Sequence, residues 1–306
     1  MKLIKPSYTI IPQGTGLEGI YKQIELAGRT CYKSEDKITD DSSIKFVDRM
    51  IKSGHGAMLE HGTVYLKITY KDTDFATLCM FYGRNKYSVL NHSEDNKIYY
   101  ITTNYRVLVE NNHLSDLKYL CEPTEFHEKR ITVRFVCDRG VSHEYVRHRV
   151  FSFAQESTRY CNYSKDKFGN ELTFIKPCWI DDTSLQKIKG SVISKDEYGS
   201  LILEYYYHLT VKEESWFKPW EITPESNFIA SLQVAEQLYL ELLNQGWTPQ
   251  QARAVLPNSL KTELVMTGVV SDWKHFFELR CDSKAHPQAR ELAIPLREEF
   301  IKTNLI

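Results

Sequence analysis

Between Asp138 and Tyr160 the chain runs DRGVSHEYVRHRVFSFAQESTRY, with four arginines (Arg139, Arg147, Arg149, Arg159) and two histidines (His143, His148). Arginine presents a planar fork of donors that matches phosphate or carboxylate, and it stays charged at any working pH. This density of guanidinium groups points to a site for an anion. The alternative is a solvated basic helix end anchored by Val150, Phe151 and Phe153. With Ser142 as cap, a helix running to about Phe151 puts Arg139, His143 and Arg147 on one face at four-residue spacing. Successive helical residues point about 100° apart, so Arg147, His148 and Arg149 cannot all grip one phosphate from a regular helix. They would serve two neighbouring ligands or one that wraps the end of the segment.

Three other stretches carry candidate chemistry. In GHGAMLEHG (54–62), His55, Glu60 and His61 suggest a metal or a turn whose side chains bond the backbone. The two histidines are six apart across glycines, which is no helical H-E-x-x-H arrangement, and no metal is expected. ARAVLP (252–257) sets Arg253 in a proline-terminated turn, ordinarily a surface position. HFFELR (275–280) places His275 and Arg280 near the end of a helical stretch. The seven cysteines are scattered without C-x-x-C or zinc-ligand spacing, so most of them read as small buried hydrophobes in a reducing cytosol, with Cys161 and Cys281 as structural thiols.

The elements that must position these residues follow from periodicity. Residues 8–11 read as a strand and 16–28 as an amphipathic helix, followed by a polar turn over 28–32. A second helix starts near Asp41 or Ser42 and stops at Gly54, and a strand covers 63–70. Over 71–129 the pattern gives a helix at 72–82, a polar loop at 91–97, a strand-like run at 98–109 and a short helix at 113–120. In 131–137, Ile131, Val133, Phe135 and Cys137 alternate with Thr132, Arg134 and Val136, which marks a strand. A short strand covers 173–176, and a helix at 196–212 precedes the aromatic WFKPW segment at 216–220. Thr223-Pro224 and Thr248-Pro249 are helix starts, the first helix running to Gly246 and the second ending at Pro257. The last helices are expected at 259–279 and 287–303.

Composition bounds the function. The 306 residues carry a formal net charge of −1 and 42% hydrophobic residues, enough for one large domain with a sizeable core. Near-neutral charge argues against a general nucleic-acid coat protein, so the arginine cluster means a focused anion site. No stretch approaches a membrane span of ~18 apolar residues, and residues 1–14 lack the apolar run of a signal peptide. A cytoplasmic protein is expected, with no nucleic acid and no membrane as partner. There is no G-x-G-x-x-G dinucleotide fingerprint.

Arg147-His148-Arg149, seven residues, then Ser157-Thr158-Arg159-Tyr160 resembles the signature of the flavin-dependent thymidylate synthases. Three further segments resemble this family in the correct order: G-H-x-x-x-x-E-H at 54–61, A-R-x-x-L-P at 252–257 and H-F-x-x-L-R at 275–280 with its tail to Arg290. The resemblance covers roughly 1–70, 130–178 and 225–306 and implies a single domain with insertions at about 71–129 and 179–224. The fold it implies is α/β in the α+β sense, a twisted sheet flanked by helices. The activity it implies is reductive methylation of dUMP to dTMP, with methylenetetrahydrofolate as carbon donor and NADPH-reduced FAD as hydride source. Glu144, Arg147, Gln155, Ser157, Thr158, Arg159, Arg253 and Arg280 would bind dUMP, with Arg280 and Ser157 catalytic. His55, Ala57, Glu60, Arg147, His148, Arg149, Gln155 and His275 would contact FAD. The family assembles as a homotetramer with shared active sites, the 157–159 segment donated by a neighbour.

Some positions depart from the family pattern. Glu144 stands where Gln is frequent, Gln155 where Glu is frequent, Val269 and Ser271 where Asn and Arg face the flavin, and Lys284 in place of a histidine. These substitutions fall among the flavin contacts. They leave open a nucleotide-binding protein without redox activity or a related pyrimidine-modifying enzyme. An oligonucleotide-binding protein built on the arginines and tyrosines is the third reading, against which the net charge stands.

Overall fold

The structure, a computed structural model, describes residues 1–95, 97–180 and 223–306. The helix expected at 196–212 and the aromatic segment at 216–220 lie outside the described residues.

The fold is mixed α and β, with three sheets among the described residues. The strands are β1 (Lys2–Ile4), β2 (Ser7–Ile11), β3 (Thr63–Thr69), β4 (Val89–Ser93), β5 (Ile98–Asn104), β6 (Arg130–Asp138), β7 (Ser152–Gln155), β8 (Thr173–Ile175) and β9 (Lys261–Val269). The largest sheet is antiparallel in the order β2-β6-β9-β7, with β3-β5-β4 a second antiparallel sheet and β1 parallel to β8 a third. Helices are α1 (Gly16–Tyr32), α2 (Ser42–Lys52), α3 (Gly56–Leu59), α4 (Phe75–Leu78), α5 (Tyr105–Glu110), α6 (Arg139–Tyr145), α7 (Pro224–Asn244), α8 (Pro249–Ala252), α9 (Val270–Arg280) and α10 (Pro287–Lys302).

The alternation in β6 does what period two requires. Val133, Phe135 and Cys137 enter one core with Leu264 and Met266 of β9, Trp273, Phe276 and Phe277 of α9, and Leu292, Leu296 and Phe300 of α10. The opposite face of β7 and β9 presents Ala154 and Val265 to Ala27 of α1, so the sheet has helices on both faces. A second core joins α1 and α2 to the β3-β5-β4 sheet, and a third joins α7 to Phe174 of β8. Gly28 lets α1 and α2 approach, since a Cβ there would lie 2.4 Å from the Phe46 ring.

Several sequence expectations are corrected. Residues 261–269 are the central strand β9, not the start of a helix; only 270–280 is helical. Leu264, Val265 and Met266 are buried on both faces of the sheet, and such a continuous apolar run carries no alternation to separate strand from helix. Residues 28–32 are the last turn of α1, with Arg29 paired to Glu25 one turn back at 2.8 Å. The run 98–109 is a strand only to Asn104, whose side chain accepts from Val107 N–H and starts α5. The expected loop at 91–97 begins inside β4, and the helix expected at 72–82 is the single turn α4 followed by a wider turn over Cys79–Gly83.

Gly268 on β9 lies under Phe151, where a Cβ would come 2.6 Å from two ring carbons. Gly268→Ala is therefore expected to displace Phe151 and destabilise the fold by about 1–3 kcal/mol, read as a lower urea midpoint at unchanged slope.

Candidate functional site

The arginine-rich segment is not the helix that Ser142 was expected to cap. Asp138 is the cap: its Oδ1 accepts from Val141 N–H at 2.7 Å, and its Oδ2 accepts from Gln288 on α10 at 2.8 Å. α6 ends at Tyr145, whose hydroxyl donates to the Ala289 carbonyl at 2.8 Å. Arg147, His148 and Arg149 then lie in a turn. His148 points inward against Phe276, while Arg147 and Arg149 are exposed.

Arg280, at the end of α9, closes over this turn. Its Nε donates to His148 Nε2 at 2.9 Å, its Nη1 to Glu144 Oε2 at 2.8 Å and its Nη2 to the Glu144 carbonyl at 2.7 Å. His148 Nε2 is therefore an acceptor and the imidazole proton sits on Nδ1. Burial, with the Arg280 charge adding to it, pulls the His148 pKa down to about 4, so the ring is neutral at ordinary pH.

The 157–159 segment is held next to α8. Ser157 N–H donates to the Cys31 carbonyl at the end of α1. Arg253 Nη1 donates to Thr158 Oγ1 at 3.4 Å, and Arg159 Nε to Gln250 Oε1 at 3.0 Å. Gln155 joins this segment to α6 and β9, donating from Nε2 to Ser142 Oγ at 2.8 Å and Thr262 Oγ1 at 3.3 Å. His55 and Ala57 are exposed on the α3 turn, and Glu60 accepts from Arg106 at 2.6 Å. His275 faces outward and meets Glu278 on its own helix. The chain thus brings together Arg280, Glu144 and His148, and separately Ser157, Thr158, Arg159 and Arg253. His275 borders the first group, its ring edge-on to that of His148 with centroids 6.3 Å apart.

Beneath Ser157 lies a charge cluster that the sequence did not reveal. Lys261 Nζ meets Glu156 Oε2 and Glu263 Oε1, both at 2.8 Å, while Lys33 meets Glu263 at 2.9 Å and Tyr163 donates to Glu156 at 2.9 Å. Burial pushes the Glu263 carboxyl up, but Lys261 and Lys33 outweigh it and hold it at about 2. The only sequence signal is the same-face spacing of Lys261 and Glu263 on a strand.

A diphosphate-bearing flavin fits the donor set: two exposed guanidinium groups at Arg147 and Arg149, neither bound to a carboxylate among the described residues, with His55 exposed as a further polar group. These features define a mixed α and β protein with clustered arginines suited to an anionic nucleotide. A family model described as thymidylate synthase complementing protein matches residues 71–303. The chain belongs to this family, the flavin-dependent thymidylate synthases. Relatives of that name include one from Synechocystis, 27% identical over 56% of this chain and 66% of its own. Another, from Pyrococcus furiosus, is 30% identical over 54% and 52%, and a third, from Mycobacterium avium, 23% over 93% and 76%. The chain thus spans about half to two thirds of the first two relatives. A solved UMP/dUMP methylase from Streptomyces cacaoi aligns over 99% of this chain and 93% of its own at 17% identity and a TM-score of 0.41.

Two measurements check the electrostatics. Lys261→Met leaves Glu156 buried without its cation, so a stability loss of roughly 3–5 kcal/mol is expected by chemical denaturation. His61, fully buried, has its pKa pushed down by burial to about 3, and His148 to about 4. Between the unfolded value of about 6.5 and pH 4 the unfolded chain binds more protons, so stability falls as pH falls. The urea midpoint is expected to drop across that window, and less steeply in His61→Asn.

Proposed function

We propose that the protein is a flavin-dependent thymidylate synthase that converts dUMP to dTMP, with methylenetetrahydrofolate as carbon donor and NADPH-reduced FAD as hydride source. The observation that carries this reading is the convergence of motifs distant in sequence. Arg253 reaches Thr158, and Arg280 reaches both Glu144 and His148. The family membership and the names of the relatives support it.

Arg280 has five N–H donors and uses three on Glu144 and His148. Its plane is fixed before substrate arrives, and its remaining N–H groups would donate to the pyrimidine and stabilise negative charge developing at N3. Arg159 and Arg253 would clamp the nucleotide phosphate, with the Ser157 hydroxyl as a further bond. Arg147, Arg149, His55 and Ala57 would hold FAD, with Glu60, Gln155, His148 and His275 as its other expected contacts. When bound, the reduced flavin supplies a hydride. No thiolate is needed, and burial pushes the Cys161 thiol up to about 12, so it stays protonated.

The assembly is proposed to be a cytoplasmic homotetramer whose sites are shared between subunits, built from one domain with insertions at about 71–129 and 179–224. A second reading, a nucleotide-binding protein without flavin chemistry, is favoured by one observation. Val269 puts an apolar side chain before α9, and the Ser271 N–H is taken by Glu128.

The deciding experiment is the visible spectrum of the purified protein with added FAD, then NADPH and dUMP without oxygen. Flavin bands that bleach on NADPH are expected; a protein that cannot be reconstituted sinks the synthase reading in favour of the second. Arg253→Ala is expected to weaken dUMP binding at least tenfold in calorimetry, while Arg149→Ala weakens FAD and leaves dUMP unchanged.

A further inference from the structure

Arg130 opens β6 in surroundings that do not balance its charge. Its Nη1 donates to the Glu60 carbonyl at 3.1 Å and Thr63 Oγ1 at 3.2 Å, and its Nη2 to Ser152 Oγ at 3.3 Å. Its backbone N–H donates to the Tyr65 hydroxyl at 2.9 Å. All four acceptors are neutral. Thr63, Tyr65 and Ser152 are buried, as is His61, which burial and then the Arg130 charge keep unprotonated. The carboxylates that could answer it are turned elsewhere: Glu60 to Arg106 and Glu128 to the Ser271 N–H. Glu60 and Asp272 act on it only at longer range, without an ion-pair contact. Among the described residues no carboxylate oxygen forms an ion pair with this guanidinium within 4.0 Å.

An arginine does not shed its proton, so a half-buried one whose hydrogen-bond acceptors are all neutral favours a counter-charge. Its position says where that charge would come from. The Glu60 carbonyl ends the turn that carries His55 and Ala57, and Ser152 opens β7, three residues beyond Arg149. Directly across the ladder from Arg130 is Val269, which contributes no polar group.

We propose that Arg130 is a positioning residue of the flavin site: it clamps the His55–Glu60 turn to β7, and its unbalanced charge favours the anionic, reduced form of the ring bound beside it. The proposal rests on the flavin reading given above. It adds a cation that none of the four family-like segments contains.

The test uses the full chain and three variants, Arg130→Lys, Arg130→Met and Arg130→Gln. FAD affinity is measured by quenching of its fluorescence, and the midpoint potential by dye-coupled reduction. Arg130→Met is expected to disfavour the reduced form about tenfold, close to 30 mV for a two-electron couple. Arg130→Lys keeps the charge and is expected to restore the potential while binding FAD several-fold more weakly, because the fork is lost. Arg130→Gln, which keeps polar donors without charge, serves if the Met variant does not fold. An unchanged potential in whichever neutral variant folds overturns the proposal while leaving the synthase reading intact. A wild-type chain that binds no FAD overturns both.

Discussion

The pairing of β9 between β6 and β7 is the constraint on which the candidate site depends. β6 delivers α6 and the arginine turn, and β7 leads into the segment from Ser157 to Arg159. The turn with Arg253 enters β9, and the helix ending in Arg280 leaves it. Each ladder is antiparallel, so chain direction and register pair the arginine turn with the helix end at Arg280, and the Ser157–Arg159 segment with the turn at Arg253. Burial on both faces makes a register slip costly, because it would exchange the two faces of every side chain.

Around this frame the charges fall into two kinds. Some are balanced within the protein, as in the Lys33–Glu263–Lys261–Glu156 chain that supports Ser157 and the Arg280–Glu144 pair. Others, Arg147 and Arg149, lie at the surface without a carboxylate among the described residues. Internal pairs fix geometry, whereas unbalanced cations on a rigid base await an anion.

Much of the site was legible in the sequence because its chemistry is local. Arg147, His148 and Arg149 with Ser157 and Arg159, the turn at Arg253 and the helix end at Arg280 are short patterns, and each has a place in the structure. The strands of alternating character and the proline-started helices were legible for the same reason. What sequence could not give depends on distant partners. β9 has no alternation because both its faces are buried, and its length is set by β6. Asp138 rather than Ser142 caps α6, although both are good capping types; Asp138 is further held by Gln288 from far along the chain. The buried ion cluster was invisible because Glu156 and Lys261 meet only once β7 and β9 are in place.

The nine residues of β9 also act as a gauge. At about 3.3 Å per residue they set a distance of roughly 30 Å between the turn that holds Arg253 and the start of the helix that ends in Arg280. Drift in this lineage is therefore unevenly licensed. Surface connections can lengthen at slight entropic cost, but a single residue gained or lost in this strand would alter the spacing and reverse its faces together. Substitution is open to this segment; insertion and deletion are closed to it.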